Sequence, residues 1–318
     1  MEFEQEAARL HLLRAGAMVA KSNLIKTVAS AVFFFVICSG SILAGTGLRW
    51  VGPDNQLLPF ETAEEAEEFL KKARVVSRKR VGAGINNPIK VLLEQDGIQA
   101  HAVFRDVRVS KPTARFPGKF VPNFRGDALF EISAYRLGKL LGLNNIPPAI
   151  LRRIDGRKGS LQLWIEKATT EKKRIERDLK PENILLWRLQ VQTMRLFDNL
   201  IYNEDRNQGN ILFDPAWRLW MIDHTRAFRR QKSLLSPNTI WRIEKNLWDR
   251  LQQLDLDAVK KAVSPFVSPA EVRAILKRRD LIVQIIDNLI ARRGEQLVVF
   301  QMPLIPHVVA TTEVAATL

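Results

Sequence analysis

The chain has 318 residues, 46% hydrophobic and 26% charged, enough to bury one large core or two modest ones and inconsistent with wholesale disorder. Its 49 Lys and Arg against 34 Asp and Glu give a formal net charge of +15, which favours phosphates, acidic substrates or anionic lipid headgroups without choosing among them. The single cysteine, Cys38, lies in an apolar stretch, and the four histidines, at 11, 101, 224 and 307, form no H-x-x-x-H pair. Thiol nucleophiles, disulfides and zinc sites are thereby excluded from the rest of the chain, and any metal would take oxygen ligands. The basic residues are scattered with no aromatic-interleaved stripe, which disfavours a nucleic-acid platform.

Residues 1–26 carry Arg9, Arg14, Lys21 and Lys26, and residues 27–48 follow with no charge across 22 positions. That run is long enough to span a bilayer as a helix, and the preceding positive charge places the N-terminus in the cytoplasm with the remainder outside. A membrane anchor and a cleaved signal starting at Met18 are both compatible with it.

Thr62 with Glu65 makes a capping box ahead of a helix whose early residues are acidic and late ones basic. Strand-like runs at 74–81, 88–95 and 98–107 are separated by "GAGINN" and by the turn Asp96-Gly97, giving a small antiparallel meander. A basic loop from Ser110 to Arg125 leads to "GDALFEISAYRLGKLLG", whose apolar positions share one helical face, with Gly142 closing the helix and Glu131 beside that face. "PPAILRRI" and "SLQLWIE", joined by Asp155-Gly156, complete a sheet-plus-helix module ending near Glu166. Beyond it the periodicity turns helical, over 181–202 and then 237–295. The expected layout is a small lobe at 60–166, a mostly helical lobe at 167–305 with a cleft between them, and a tail at 306–318.

Two stretches carry Asp, four residues, then Asn: "RDLKPENILLW" with Asp178 and Asn183, and "NEDRNQGNILF" with Asp205 and Asn210. In phosphoryl transfer that spacing lets one loop place a carboxylate at the attacking hydroxyl and an amide oxygen on a magnesium ion, with a second carboxylate from the following strand pair completing the metal site. Only the second stretch has the partner. "NILF" and "RLWMI", joined at Asp214-Pro215, deliver Asp223 18 residues after Asp205. Downstream of Asp178 the spacing is helical without a turn, so Asp178 reads as a helix N-cap with Pro181 in the first turn. Duller roles remain open at each position: Asp205 capping a turn, Asn210 bonding loop backbone, Asp223 bonding after a strand, Glu131 pairing with Tyr135.

The segments "DRNQGNIL" and "MIDHTRAF", with "FEISAYRLGKLLGLNNIPP", resemble the atypical branches of the protein-kinase-like superfamily: the phosphatidylinositol 3-/4-kinase-like, HipA-like and secreted casein-kinase-like enzymes. The resemblance covers about residues 70–300 and implies an α+β, two-lobed protein-kinase-like fold using ATP with Mg2+ or Mn2+. It implies Asp205 as the catalytic or hydroxyl-orienting carboxylate, Asn210 and Asp223 as metal ligands, and Glu131 as partner of a phosphate-binding cation, with Gly82, Gly84 and Glu166 at the cofactor. The sequence departs from the pattern in three places. The cation position reads Arg105 instead of Lys, with Lys90, Lys111 and Lys119 as substitutes; Asp223 is followed by His224-Thr225 instead of Phe-Gly; and Gly82-Ala83-Gly84 is a minimal glycine loop. The implied activity is phosphotransfer to an acidic protein, lipid headgroup or glycan, with a pseudokinase binding module and a nucleotidyltransferase as alternatives.

Overall fold

The computed structural model describes residues 50–82, 88–116, 119–303 and 305. The charge-free run 27–48 and Gly84 lie outside them, and among the described residues no helix is long and apolar enough to cross a membrane.

Helix α1 (Ala63–Lys72) starts where the sequence places it: the Thr62 hydroxyl accepts from Glu65 N–H at 3.2 Å and Glu65 Oε2 accepts from Thr62 N–H at 3.1 Å. Its buried face, with Phe69 and Leu70, lies on an antiparallel sheet. The strands are β1 (Arg74–Arg80), β2 (Ile89–Gln95), β3 (Ile98–Arg105), β6 (Ala149–Ile154) and β7 (Arg157–Leu163), in the order β1-β2-β3-β7-β6. Alternation sends Val91, Leu93, Ala100, Ala102, Phe104 and Leu161 to the helix side. It sends Lys90, His101, Val103, Arg105 and Gln162 to the opposite face, the one that matters for the site. Both expected hairpin turns form, with positive φ at Asp96 and Gly97 (52° and 78°) and at Asp155 and Gly156 (50° and 77°), the geometry of a two-residue type I′ turn. Gly159 is required by close approach: a Cβ there would lie 2.2 Å from the Arg105 carbonyl oxygen.

The segment from Ser110 to Arg125, expected as a loop, is a two-stranded antiparallel ribbon, β4 (Arg108–Phe116) paired with β5 (Lys119–Asp127). Its prolines, Pro112 and Pro122, are tolerated because a two-stranded ribbon is all edge. Helix α2 (Phe130–Leu140) follows and ends at Gly142, whose φ is 76°.

The short β8 (Thr169–Thr170) and α3 (Glu171–Glu176) lead to α4 (Ile184–Ile201). This helix is capped by Asn183, which accepts from Leu186 N–H at 2.9 Å, and not by Asp178. Asp178 sits in the preceding turn with φ 51°, its side chain exposed and 3.5 Å from Lys180. Pro181 therefore precedes the helix and does not occupy its first turn. Strands β9 (Ile211–Phe213) and β10 (Leu219–Met221) form the expected hairpin, extended by β8 on the β9 edge. Asp214 closes it, accepting from Ala216 and Arg218 N–H at 2.9 and 3.0 Å.

The remainder is helical: α5 (Lys245–Gln252), α6 (Leu256–Val263), α7 (Pro269–Arg293) and the short α8 (Glu295–Val298), with β11 (Ile243–Glu244) parallel to β12 (Val299–Phe300). Ser268 and Glu271 form a second capping box, at the start of α7. One hydrophobic cluster joins α2, α4, the β9–β10 hairpin and α5 to α7, and a second joins α1 to the five-stranded sheet.

Candidate functional site

The loop between α4 and β9 is built on side-chain bonds to backbone. Tyr202 ends α4 in the left-handed region, at φ 53°, turning the chain into Asn203. Asn203 donates to Asp198 at 3.0 Å and accepts from Asp205 N–H at 3.2 Å. The Asp205 carbonyl in turn accepts from Asn207 N–H at 2.8 Å and from Asn210 Nδ2 at 2.9 Å. The hairpin then returns the chain, with Ile222 N–H donating to the Asn210 carbonyl at 3.3 Å, so Asn210 and Asp223 come to the same end of β9–β10. Asp223 has φ 56°, uncommon and strained for a residue with a side chain, and its Oδ1 accepts from the Thr225 hydroxyl at 2.7 Å.

The oxygen chemistry of Asn210 and Asp223 suits a hard divalent cation. Among the described residues no group of three or more His, Cys, Asp or Glu could hold a metal. A cation there needs oxygens from a ligand or water besides those of the protein, as magnesium at phosphate sites usually does.

A chain of buried polar groups runs from this loop to the sheet. Arg206 forks onto Asp198, with Nε–Oδ2 at 2.9 Å and Nη2–Oδ1 at 3.0 Å, and donates through Nη1 to the carbonyls of Asn210 and Ile222 at 2.6 and 2.7 Å. Its Nη2 also meets His224 Nε2 at 3.0 Å. His224, fully buried, faces Glu131 of α2: its backbone N–H donates to Oε1 at 2.6 Å and its Nδ1 lies 3.2 Å from Oε2. Gln162 of β7 donates to Glu131 at 3.3 Å and accepts from Arg105 at 3.5 Å.

Glu131 and Arg105 are thus neighbours through Gln162, with no direct ion pair, and Tyr135 is not the partner of Glu131, since its hydroxyl donates to Glu67 at 2.7 Å. Burial pushes the Glu131 carboxyl up, but hydrogen bonds from the His224 ring and N–H and the nearby Arg105 charge outweigh it and hold the group below the usual glutamate range.

Asp205 also faces a cation. Arg226 Nη1 lies 3.5 Å from its Oδ1, and Arg226 lies over the Phe124 ring of the ribbon, 5.0 Å from the centroid. Arg229 donates to Glu204 and to the Arg125 carbonyl at 2.8 Å each, so the ribbon is rooted on the segment after Asp223. At the far side of the sheet face, Glu166 lies 2.5 Å from His101 Nδ1 and 3.7 Å from Lys90, which sits over Trp164. Burial pushes the Lys90 ammonium pKa down against the pull of Glu166. Gly82 is exposed in the bend after β1, and Lys111 is exposed on β4.

Asn210 and Asp223 come to the same end of the hairpin with Asp205 bonded to Asn210 through its carbonyl, Arg105 and Glu131 meet through Gln162, and Glu166 lies apart with His101 and Lys90. Asp198, Arg206, Gln162 and Arg226 escaped the sequence reading, and His224 entered it only as a departure from a pattern. The Asp205-Arg206 dipeptide and the Arg three residues past Asp223 were the available signals.

No protein-family model matches the sequence, and a search of curated proteins finds no match. Solved structures do match. A hydra Fam20 structure with sugar aligns at TM-score 0.56 and 14% identity, covering 75% of this chain and 92% of that one. A Golgi casein kinase aligns at 0.53 and 14%, covering 76% and 80%, and the same kind of kinase with Mn/ADP bound aligns at 0.53 and 14%, covering 74% and 78%. The fold is therefore that of the atypical protein-kinase-like proteins, a mixed α+β architecture with an antiparallel sheet. At this identity the likeness speaks for the fold alone.

Proposed function

We propose that the protein is an ATP- and divalent-metal-dependent phosphotransferase. The observation that carries the reading is the β9–β10 hairpin, which sets Asn210 and Asp223 at one end with Asp205 bonded to Asn210 through its carbonyl. In this reading Asn210 and Asp223 hold Mg2+ or Mn2+, which would supply charge neutralisation on the phosphates, and Asp205 orients the acceptor hydroxyl and takes its proton. Arg105, buried at the edge of the sheet face with a long bond to Gln162, supplies the phosphate-facing cation, and its planar fork suits two oxygens at once. Gly82, Gly84 and Glu166 would line the nucleotide. The neighbours' descriptions, a kinase with Mn/ADP and a Fam20 with sugar, support these cofactors and a protein or glycan hydroxyl as acceptor; a lipid headgroup fits the basic charge equally well. The run 27–48 supports a membrane-anchored or exported protein of the secretory route, with the small lobe at 60–166 and the large lobe at 167–305 beyond it.

One observation favours a second reading, a nucleotide- or partner-binding module without catalysis: Arg226 already neutralises Asp205, and Glu131 is bonded to His224 instead of to a small-lobe cation. Incubation of the full chain with gamma-labelled ATP and Mg2+ or Mn2+ separates the two. Phosphotransfer predicts label on an acceptor or on the protein itself, lost in Asp205→Asn and in Asp223→Asn. Nucleotide binding with no transfer in any metal would leave the binding module, and transfer of the nucleotide in place of the gamma-phosphate would identify a nucleotidyltransferase.

A further inference from the structure

We propose that His224 is a positioning residue, a two-sided hydrogen-bond joint that fixes Asp223 by donating from Nδ1 to Glu131 of α2 and accepting at Nε2 from Arg206 of the catalytic loop. The inference deepens the phosphotransferase reading and rests on it, since Asp223 matters only if it holds a metal.

The direction of each bond follows from its partner. An arginine has five N–H donors and no acceptor, so the 3.0 Å contact between Arg206 Nη2 and His224 Nε2 requires the ring nitrogen to offer its lone pair. The hydrogen of that tautomer then sits on Nδ1, 3.2 Å from Glu131 Oε2, where an ionised carboxylate accepts it. The ring is fully buried and packs edge-on against Phe197 of α4 at 6.1 Å between centroids, so no water substitutes for either partner.

Both peptide neighbours of Asp223 are tied by the same two residues. Arg206 Nη1 donates to the Ile222 carbonyl at 2.7 Å, and Glu131 Oε1 accepts the His224 N–H at 2.6 Å. Asp223 between them holds φ 56°, a conformation that persists only where its surroundings over-determine it. The His224 ring closes the loop between the two clamps, because it alone bonds both Arg206 and Glu131 among the described residues. A phenylalanine would fill the volume and leave the clamps uncoupled, with a buried Arg206 N–H losing its acceptor and Glu131 Oε2 left with Gln162 alone.

The test uses three variants of the full chain and one readout that packing alone does not move. The manganese concentration giving half-maximal thermal stabilisation by ADP is measured for wild type, His224→Phe, His224→Asn and His224→Gln. Asn places an N–H near the Nδ1 position and keeps the Glu131 bond; Gln places an oxygen near the Nε2 position and keeps the Arg206 bond. Loss of an outer partner that orients a metal ligand typically costs about 10- to 100-fold in metal affinity, and His224→Phe is expected in that range, with Asn and Gln between it and wild type.

Equal manganese midpoints in all four proteins overturn the positioning role, whatever happens to their unliganded melting temperatures. A wild type that gains no stability from ADP and manganese overturns the phosphotransferase reading and this role with it. Should the variants fail to fold, nitrogen-15 histidine spectra of wild type decide: a hydrogen on Nδ1 of His224 is expected, and a hydrogen on Nε2 overturns the proposal.

Discussion

At the scale of single residues, the site depends on charges taken out of water in matched sets. Arg206 is nearly buried, and Asp198 and two carbonyls surround its guanidinium. Glu131 shows the balance in a form that pH can read. Its carboxyl is held below the usual range, so the folded state binds that proton less readily than the unfolded chain. The sign follows: its ionised form contributes stability that is fully present above the ordinary glutamate value of about 4.3 and is lost as pH falls through the lowered folded value. Glu131→Gln is expected to be less stable than wild type at neutral pH, with the gap closing in acid. Urea midpoints of both proteins across the acid range would show it, and a gap of constant size would refute the account. Glu131 was legible in the sequence as an acid beside an apolar helical face. Its true partner was not, because His224 is 93 residues away and only the tertiary fold brings the two together.

At the scale of elements, the stretch "RDLKPENILLW" shows what periodicity can and cannot decide. It imitates a phosphotransfer loop, yet the lack of a turn after it identified a helix from sequence alone, and α4 is that helix. The start was misplaced by five residues because Asp178 and Asn183 are both good cap types, and Pro181 is as acceptable in the first turn of a helix begun at Asp178 as it is just before one begun at Asn183. The structure chooses Asn183, whose amide oxygen reaches Leu186 N–H while the Asp178 side chain is 87% exposed. Asn183→Ala is therefore expected to cost about 1 kcal/mol in a urea titration. Asp178→Gly, which removes the carboxylate and suits the left-handed φ of 51° at that exposed turn, is expected to stay within about 0.5 kcal/mol of wild type. The reverse order would return the cap to Asp178. The β4–β5 ribbon was illegible for a related reason: prolines at 112, 117 and 122 read as strand breakers, and nothing in a single sequence shows that both strands are edges.

At the scale of the whole molecule, two hydrophobic clusters must behave as one body for the polar chain between Arg206 and Arg105 to keep its geometry. Strand β10 is where they meet. Leu219 and Met221 belong to the cluster built on α4 and α7, while Trp220 between them turns to the sheet cluster and lies 5.3 Å from Trp50. Trp220 is also tied by its Nε1 to Asp214 of the turn before it, at 3.0 Å, so one side chain holds the β9–β10 hairpin against the small sheet. Alternating burial on two cores makes a strand apolar throughout, and that is how "RLWMI" reads. Removing the Trp220 ring leaves a cavity on the sheet side and an unpaired Asp214 oxygen, and Trp220→Ala is expected to cost about 3–5 kcal/mol. The manner of unfolding tests the coupling itself. If β10 and the buried polar chain join the clusters into one cooperative unit, far-ultraviolet circular dichroism and tryptophan fluorescence of the variant will shift to lower urea together, as in wild type. If the clusters are independent, the sheet cluster will melt first and the two probes will separate, and the geometry around Asp223 would then persist after the small sheet has gone.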